Sequence, residues 1–290
     1  MTDPAAVRVP ASSANLGAGF DVLGMALDLY LDVGWGDPPD GAQPADRHHP
    51  AAVAFAALAP GAAAPPLWVR SSIPMARGLG FSGAARVAGA ALAAVVGSTD
   101  PAAALVAAGE SVLEVAARLE GHGDNAAASV SGGVVAWVDG QAIPVRVGPR
   151  LAAASVVVWI PDTTTSTDHS RSALPDVVAR AAAVHNIGRV AQFVLAIEHD
   201  DPSLLVGAAD DRLHQAIRVG AIPDAAHALD AGVAAGAWCG WLSGSGPTVA
   251  FLADAGSADA ITAALPASGH VKHLHIAGRG VQVIPAPDFR

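Results

Sequence analysis

Arg77-Gly78-Leu79-Gly80-Phe81-Ser82-Gly83-Ala84-Ala85 joins a run of strand-type residues, Leu67 to Ile73, to an alanine-rich, helix-favouring run, Ala84 to Val96. The three glycines let the chain turn tightly and let backbone come close to a ligand. A helix that starts on this turn presents unpaired N–H groups and the positive end of its dipole. That is the physical basis of an anion site, most often for phosphate. The stretch is not a Walker loop, because no Gly-Lys-Ser/Thr follows, and its glycine spacing is not that of the dinucleotide fingerprint. Taken alone, it also reads as ordinary loop chemistry.

Working outward, Val7–Val9 and Leu27–Val33 read as strands. Residues 36–66 are rich in Pro, Ala, Asp and His and read as loop with one short helix over Ala51–Leu58. Ala102–Leu119 carries apolar residues at helical spacing. Val134–Val138 and Ile143–Val147 form a hairpin pattern around Asp139-Gly140. Val156–Ile160 is an apolar strand, and Pro149 to Ala152 marks a boundary between an expected N-terminal domain, 1–150, and a C-terminal domain, 151–290. Residues 176–235 read as mostly helical, Gly240 to Leu252 as strand, glycine turn and strand, and His270–Ile276 and Val281–Ile284 as closing strands. Hairpins mixed with helices, without regular strand–helix alternation, indicate an α+β class with mixed or antiparallel sheets.

The chain has 290 residues, 52% of them hydrophobic and 14% charged, enough apolar surface to offset chain entropy. Its mean hydropathy is +0.41, yet no window supplies ~18 uninterrupted apolar residues, and the N-terminus shows no secretory pattern. With Lys+Arg 16 against Asp+Glu 26, the net charge is -10. That argues against nucleic acid as a partner, and nothing points to a membrane. Cys239 is the single cysteine, which excludes an intrachain disulfide and fits a cytoplasmic location.

Four further stretches gather glycine and polar residues: Asn15 to Asp21 after Ser12 and Ser13, Glu120 to Asn125, Thr163 to Arg171, and Leu242 to Thr248. Each has a plain reading. Asn and Gly make turns, Asp124 or Asn125 caps a helix, and His122 is an ordinary surface histidine. The order of the five together resembles the GHMP kinase superfamily, and within it the homoserine kinases. Pro10 to Asp21 matches Pro-Ala-Ser/Thr-Ser-Ala-Asn-Leu-Gly-Pro-Gly-Phe-Asp apart from Ala18. Gly78 to Ala84 matches Gly-Leu-Gly-Ser-Ser-Ala-Ala with two changes. Glu120 to Asn125 matches Glu-Gly-His-Pro-Asp-Asn apart from Gly123. Thr167, Arg171 and Leu174-Pro175 follow Thr-x-x-x-Arg…Leu-Pro, and Asp211 to Gln215 with Arg218 resembles Asp-x-Leu-His-Gln-x-x-Arg. Ser243 to Thr248 resembles the third glycine motif.

The resemblance implies a two-domain fold and an ATP- and Mg2+-dependent kinase that phosphorylates the side-chain hydroxyl of L-homoserine, a step towards threonine. It implies that Arg77, Gly78, Leu79, Gly80, Phe81, Ser82 and Gly83 hold the ATP phosphates, with Ser82 and Glu114 as magnesium ligands. Glu114 also reads as an exposed helix carboxylate. Arg171 and Arg218 suit a substrate carboxylate, since their planar forks match its geometry. Asn15, Asp21 and His122 surround the ammonium and hydroxyl ends, and Gly246 admits close backbone approach. Asn125 positions the hydroxyl, Asp124 is a helper, and Thr167 lies near the reacting phosphate. The resemblance also leaves room for a homodimer.

Two departures stand in the phosphate loop. Phe81 replaces a serine and removes a side-chain donor, although its ring can turn into the core and leave the backbone cradle intact. Gly83 replaces an alanine, at a cost of roughly 1 kcal/mol in helix propensity, and would make room for that ring. Two other functions stay open: a kinase for another small hydroxylated amino acid, and a catalytically silent amino-acid-binding homologue.

Overall fold

The computed structural model describes residues 6–61, 65–165 and 167–284. Its strands form two antiparallel sheets. The first is built from β1 (Ala6–Ala14), β2 (Leu23–Trp35), β3 (Gln43–Pro44), β4 (Leu67–Ser71), β5 (Val134–Val138) and β6 (Gln141–Val145). The long β2 is its spine. β1 runs along it from Ala6 opposite Gly34 to Ala14 opposite Gly24, with a register shift between Pro10 and Ala11. On its other edge β2 pairs with β4 at one end and with β5 at the other. The second sheet has the order β10-β7-β9-β8, from β7 (Ser155–Pro161), β8 (Cys239–Leu242), β9 (Val249–Ala253) and β10 (Gly269–Leu274). The last strand, β11 (Gln282–Ile284), returns to the first sheet and pairs with β1.

The helices are α1 (Pro50–Leu58), α2 (Phe81–Val95), α3 (Pro101–Ala107), α4 (Gly109–Glu120), α5 (Asp124–Ser131), α6 (Pro149–Ala152), α7 (Thr167–Ser172), α8 (Arg180–His199), α9 (Gln215–Val219), α10 (Ala225–Ala234) and α11 (Ala258–Ala264). The α2 and α5 helices lie against β1 and β2, and α1 and α4 pack on α2. The long alanine run of α2 makes this tight layer: Ala84, Ala85, Ala88, Ala90 and Ala91 are fully buried, where larger side chains would push the helix off the sheet. One core cluster runs from Val7 and Leu31 through Leu92 and Val134 to Val158 and Trp241, so apolar packing is continuous across both sheets. Among the described residues no helix is long and apolar enough to cross a membrane.

Several elements depart from the sequence reading. β1 extends five residues past Val9, because Ala11, Ser12, Ser13 and Ala14 are buried on both faces and show no alternation of polarity. The expected helix Ala102–Leu119 divides at Ala108, which sits at φ -92° and ψ 0° and closes α3 while opening α4 at Gly109. The helix for which Asp124 or Asn125 offered a cap is α5, Asp124–Ser131, and its N-cap is Gly123 instead. The boundary segment Pro149–Ala152 is itself a short helix.

Candidate active site

The turn between β4 and α2 opens on a cavity of about 300 Å3. Gly80 is the N-cap of α2, in the left-handed region at φ 70°. A Cβ on it would overlap Ser12 Oγ, so both backbone conformation and the close pass of β1 require glycine. The Ala84 N–H is held by the Gly80 carbonyl at 2.9 Å. The N–H groups of Phe81, Ser82 and Gly83 precede it, on residues that line the cavity, at the positive end of a fifteen-residue helix. Arg77 stands at the same wall, its Nη1 donating to the Thr163 carbonyl.

Two loop residues behave otherwise than a phosphate ligand would. Leu79 is fully buried and contributes only backbone, its carbonyl accepting from Ser12 N–H at 3.3 Å. Phe81 packs against the core and meets His49 edge-on at 6.1 Å, so its ring leaves the backbone turn in place. Gly83 does not make room for that ring. It faces α5, where a Cβ would come within 3.2 Å of Asn125 Cβ.

A second wall comes from the start of α5. Ser12 Oγ donates to Asn125 Oδ1 at 2.9 Å, tying β1 to α5. Asp124, 2% exposed, accepts the Asn125 N–H at 2.8 Å and meets His122 Nδ1 at 2.7 Å, which fixes the imidazole at the cavity wall.

The third wall brings the N-terminal Asn15–Asp21 turn against the C-terminal half. Asn15 lines the cavity with both ends of its amide engaged: Nδ2 donates to the Gly244 carbonyl at 2.9 Å and Oδ1 accepts from Asp21 N–H at 3.0 Å. Arg171 donates from Nη1 and Nη2 to the two Asp21 carboxylate oxygens at 2.7 and 2.8 Å. Arg218 is 5% exposed, and its Nη1 lies 3.3 Å from His214 Nδ1. Both guanidinium groups sit over Phe20, 5.5 Å and 5.2 Å from the ring centroid. The same ring stacks on His214 at 4.9 Å. Gly246 lines the cavity as expected, with its carbonyl accepting from Thr165 Oγ1 at 2.5 Å and a cis peptide bond to Pro247.

The segment Asp211 to Gln215 supports this wall from behind. Asp211 accepts the backbone N–H groups of His214 and Gln215 at 2.8 and 2.7 Å. Asn186 donates to both Asp211 Oδ1 and the Ala18 carbonyl. His214 donates from Nε2 to the Gly17 carbonyl at 2.9 Å, which leaves Nδ1 to accept from Arg218. Burial pushes the His214 pKa down, and the Arg218 charge adds to this against Asp211 and the Gly17 carbonyl. Burial also lowers Arg218, with Arg171 adding to the effect.

Residues 195–271 match the family model "GHMP kinases C terminal". A homoserine kinase from Thermus thermophilus is 38% identical over 89% of this chain and 90% of its own. One from Desulfitobacterium hafniense is 36% identical, again over 89% of this chain and 90% of its own. The chain belongs to the homoserine kinase family of GHMP kinases. The fold agrees: the crystal structure of homoserine kinase from Cytophaga hutchinsonii superposes with a TM-score of 0.82 at 24% identity, over 98% of both chains. A mevalonate kinase structure gives 0.69 at 11% identity, over 94% of this chain and 99% of its own.

In this member of the homoserine kinase family, the expected residues gather at one cavity with exceptions on α4 and α7. Glu114 is not at the cavity. It is exposed on α4 and lines a shallow groove with Arg118, Gly121 and Trp137, because its helical phase turns it away from α2. The carboxylate that stands at the cavity beside Ser82 is Glu120, at the end of the same helix. Thr167 opens α7, and its side chain lies outside the described residues. Glu120, Thr165 and Phe20 were not singled out from sequence, although all three stood inside quoted stretches.

Magnesium at this wall would need oxygen ligands. Ser82 Oγ and the Glu120 carboxylate are the two at hand, and both are engaged by Arg86. Its Nη1 donates to Ser82 Oγ and pairs with Glu120. A guanidinium in that position excludes a second cation, so the residues as arranged do not fit a protein-held magnesium ion. Among the described residues, no group of three or more His, Cys, Asp or Glu side chains is arranged to hold a metal.

Proposed function

We propose that this protein is an ATP-dependent kinase that phosphorylates the side-chain hydroxyl of L-homoserine to O-phospho-L-homoserine, in the cytoplasm, as a step of threonine biosynthesis. The observation that carries the reading is the juxtaposition in one cavity of a helix N-terminus and the Asp21–Arg171–Arg218 cluster. The first suits phosphates. The second suits the two ends of an amino acid.

Phosphoryl transfer asks for positioning and charge neutralisation more than covalent help from the protein. The N–H groups at the start of α2, with Arg77, hold the ATP phosphates. Substrate carboxylate takes Arg171 and Arg218, and the ammonium group takes the Asp21 carboxylate released from Arg171. Asn15 holds Asp21 in place through its backbone, and the Gly246 backbone closes over the substrate. This leaves the side-chain hydroxyl to Asn125, which orients it, with Thr167 assigned beside the transferred phosphate. The hydroxyl oxygen bonds to the γ-phosphorus as the bond to the β–γ bridging oxygen breaks. ADP leaves with that electron pair, and the hydroxyl proton passes to Asp124, which is paired with His122. Magnesium accompanies ATP from solution, and no step is assigned to a protein-bound ion.

The division at about residue 150 belongs to the same proposal. It is supported by the placement of β1–β6 in one sheet and β7–β10 in the other, although β11 crosses back. A homodimer is compatible with it.

Phosphorus NMR on the protein with Mg-ATP and L-homoserine tests the reaction, beside D-homoserine, L-threonine and no-acceptor controls. A phosphomonoester signal with L-homoserine alone is the expected result. Signal from another acceptor only would assign a different substrate, and binding without product would make the protein a silent amino-acid binder.

A further inference from the structure

Arg86 lies one helical turn beyond Ser82 in α2, and helical side chains lean toward the N-terminus of their helix. Its guanidinium therefore reaches back under the phosphate loop. There it meets Ser82 Oγ and the Glu120 carboxylate, the hydroxyl and carboxylate that approach the loop from α2 and α4. The pair is well shielded, with Arg86 22% and Glu120 10% exposed. Arg86 Nε is buried and has no hydrogen-bond partner, and burial pushes the group's pKa down. Such a cation is retained at a cost, and its carboxylate partner does not remove that cost entirely. An arginine is also a weakly hydrated, planar, permanently charged group, suited to standing close to phosphate oxygens.

We infer that Arg86 is a built-in counter-cation of the phosphate loop, occupying the position between Ser82 and Glu120 that a protein-held divalent ion would need. The inference rests on the kinase reading. The protein neutralises Glu120 from the helix itself, which removes the repulsion that carboxylate would set against phosphate, and leaves the Ser82–Glu120 position closed to metal. Nucleotide binding then depends little on the divalent ion. Phosphates are held by the N–H groups of α2 with Arg86 behind them.

The test is calorimetric titration of ATP into the wild-type protein, once with excess EDTA and once with excess magnesium. The two dissociation constants are expected to agree within about threefold. The same pair of titrations on Arg86→Ala and Arg86→Met, the latter keeping an unbranched apolar stem, is expected to differ by about tenfold or more, with tighter binding in magnesium. An independent readout is Mn2+ bound by the nucleotide-free protein, followed by electron paramagnetic resonance: absent in wild type, present in the variants. Wild-type ATP affinity that rises tenfold or more with magnesium overturns the inference and leaves the kinase intact, and that measurement needs no variant to fold. No ATP binding by wild type in either condition removes the kinase reading and this inference with it.

Discussion

Asp21 and Arg171 close on each other, which in the proposed function leaves the amino-acid site self-occupied before substrate arrives. In the proposed binding mode one carboxylate leaves the Arg171 guanidinium as the substrate's enters, joined by Arg218, so the incoming contact is the stronger, and an ammonium group takes the guanidinium's place on Asp21. Arg171→Ala removes a bidentate, charge-assisted contact of about 1.5–3 kcal/mol. Homoserine affinity should fall roughly 10- to 100-fold while ATP affinity stays near wild type. Calorimetry with each ligand separates the two, and an equal loss of both would remove Arg171 from the carboxylate role. At this scale most of the cavity lining was readable, because its residues come in short motifs whose order is informative. Glu120 was the instructive miss. Glu114 and Glu120 lie on one helix, about 120° apart around its axis, and only the packing of α4 on α2 decides which faces the phosphate loop. Arg86 was invisible for a related reason: a lone arginine in an alanine run gives no sign of which carboxylate it will meet.

The unit that builds the cavity wall proposed for phosphate is β1 with the β4–α2 turn and the start of α5. Ser12 joins all three, through its N–H to Leu79 and its Oγ to Asn125. Gly80→Ala would force a left-handed alanine against Ser12 Oγ. The expected loss is about 1–3 kcal/mol of stability, with weakened ATP binding, read by urea unfolding and calorimetry. Phe81→Ser acts differently, since the ring packs toward His49 and the core rather than toward phosphate. ATP affinity should hold or rise, while stability falls through lost apolar burial. A large fall in affinity would show that the ring holds the turn in shape. The strands and helices with strong periodicity were legible from sequence, but the extension of β1 and the length of α5 were not. Both are made largely of Ala and Ser held by close packing, and small residues carry almost no signal of period.

Across the molecule, the C-terminal half holds the N-terminal Asn15–Phe20 turn through His214. That grip works only with a neutral imidazole, donating from Nε2 to Gly17 and accepting from Arg218 at Nδ1. Protonation would set a second cation against Arg218 in a site where His214 is 1% exposed. The folded pKa of His214 is lowered, so below about pH 6.5, where a free histidine takes up its proton, the unfolded chain binds more protons than the folded one. Stability at this group is therefore fully present above that pH and is lost as pH falls through it, by at most about 1.4 kcal/mol per pH unit. His49, also lowered by burial, contributes with the same sign. Urea unfolding at pH 7.5 and 5.5 should show a clear loss in wild type and a smaller one in His214→Gln, which keeps a donor for Gly17 but cannot be charged. Homoserine binding by the folded protein should weaken only at lower pH, as the buried imidazole itself takes up a proton below the free-histidine range, because Arg218 and Phe20 both lean on this ring. An unchanged pH slope in the variant would place the sensitivity elsewhere and reduce His214 to a packing residue.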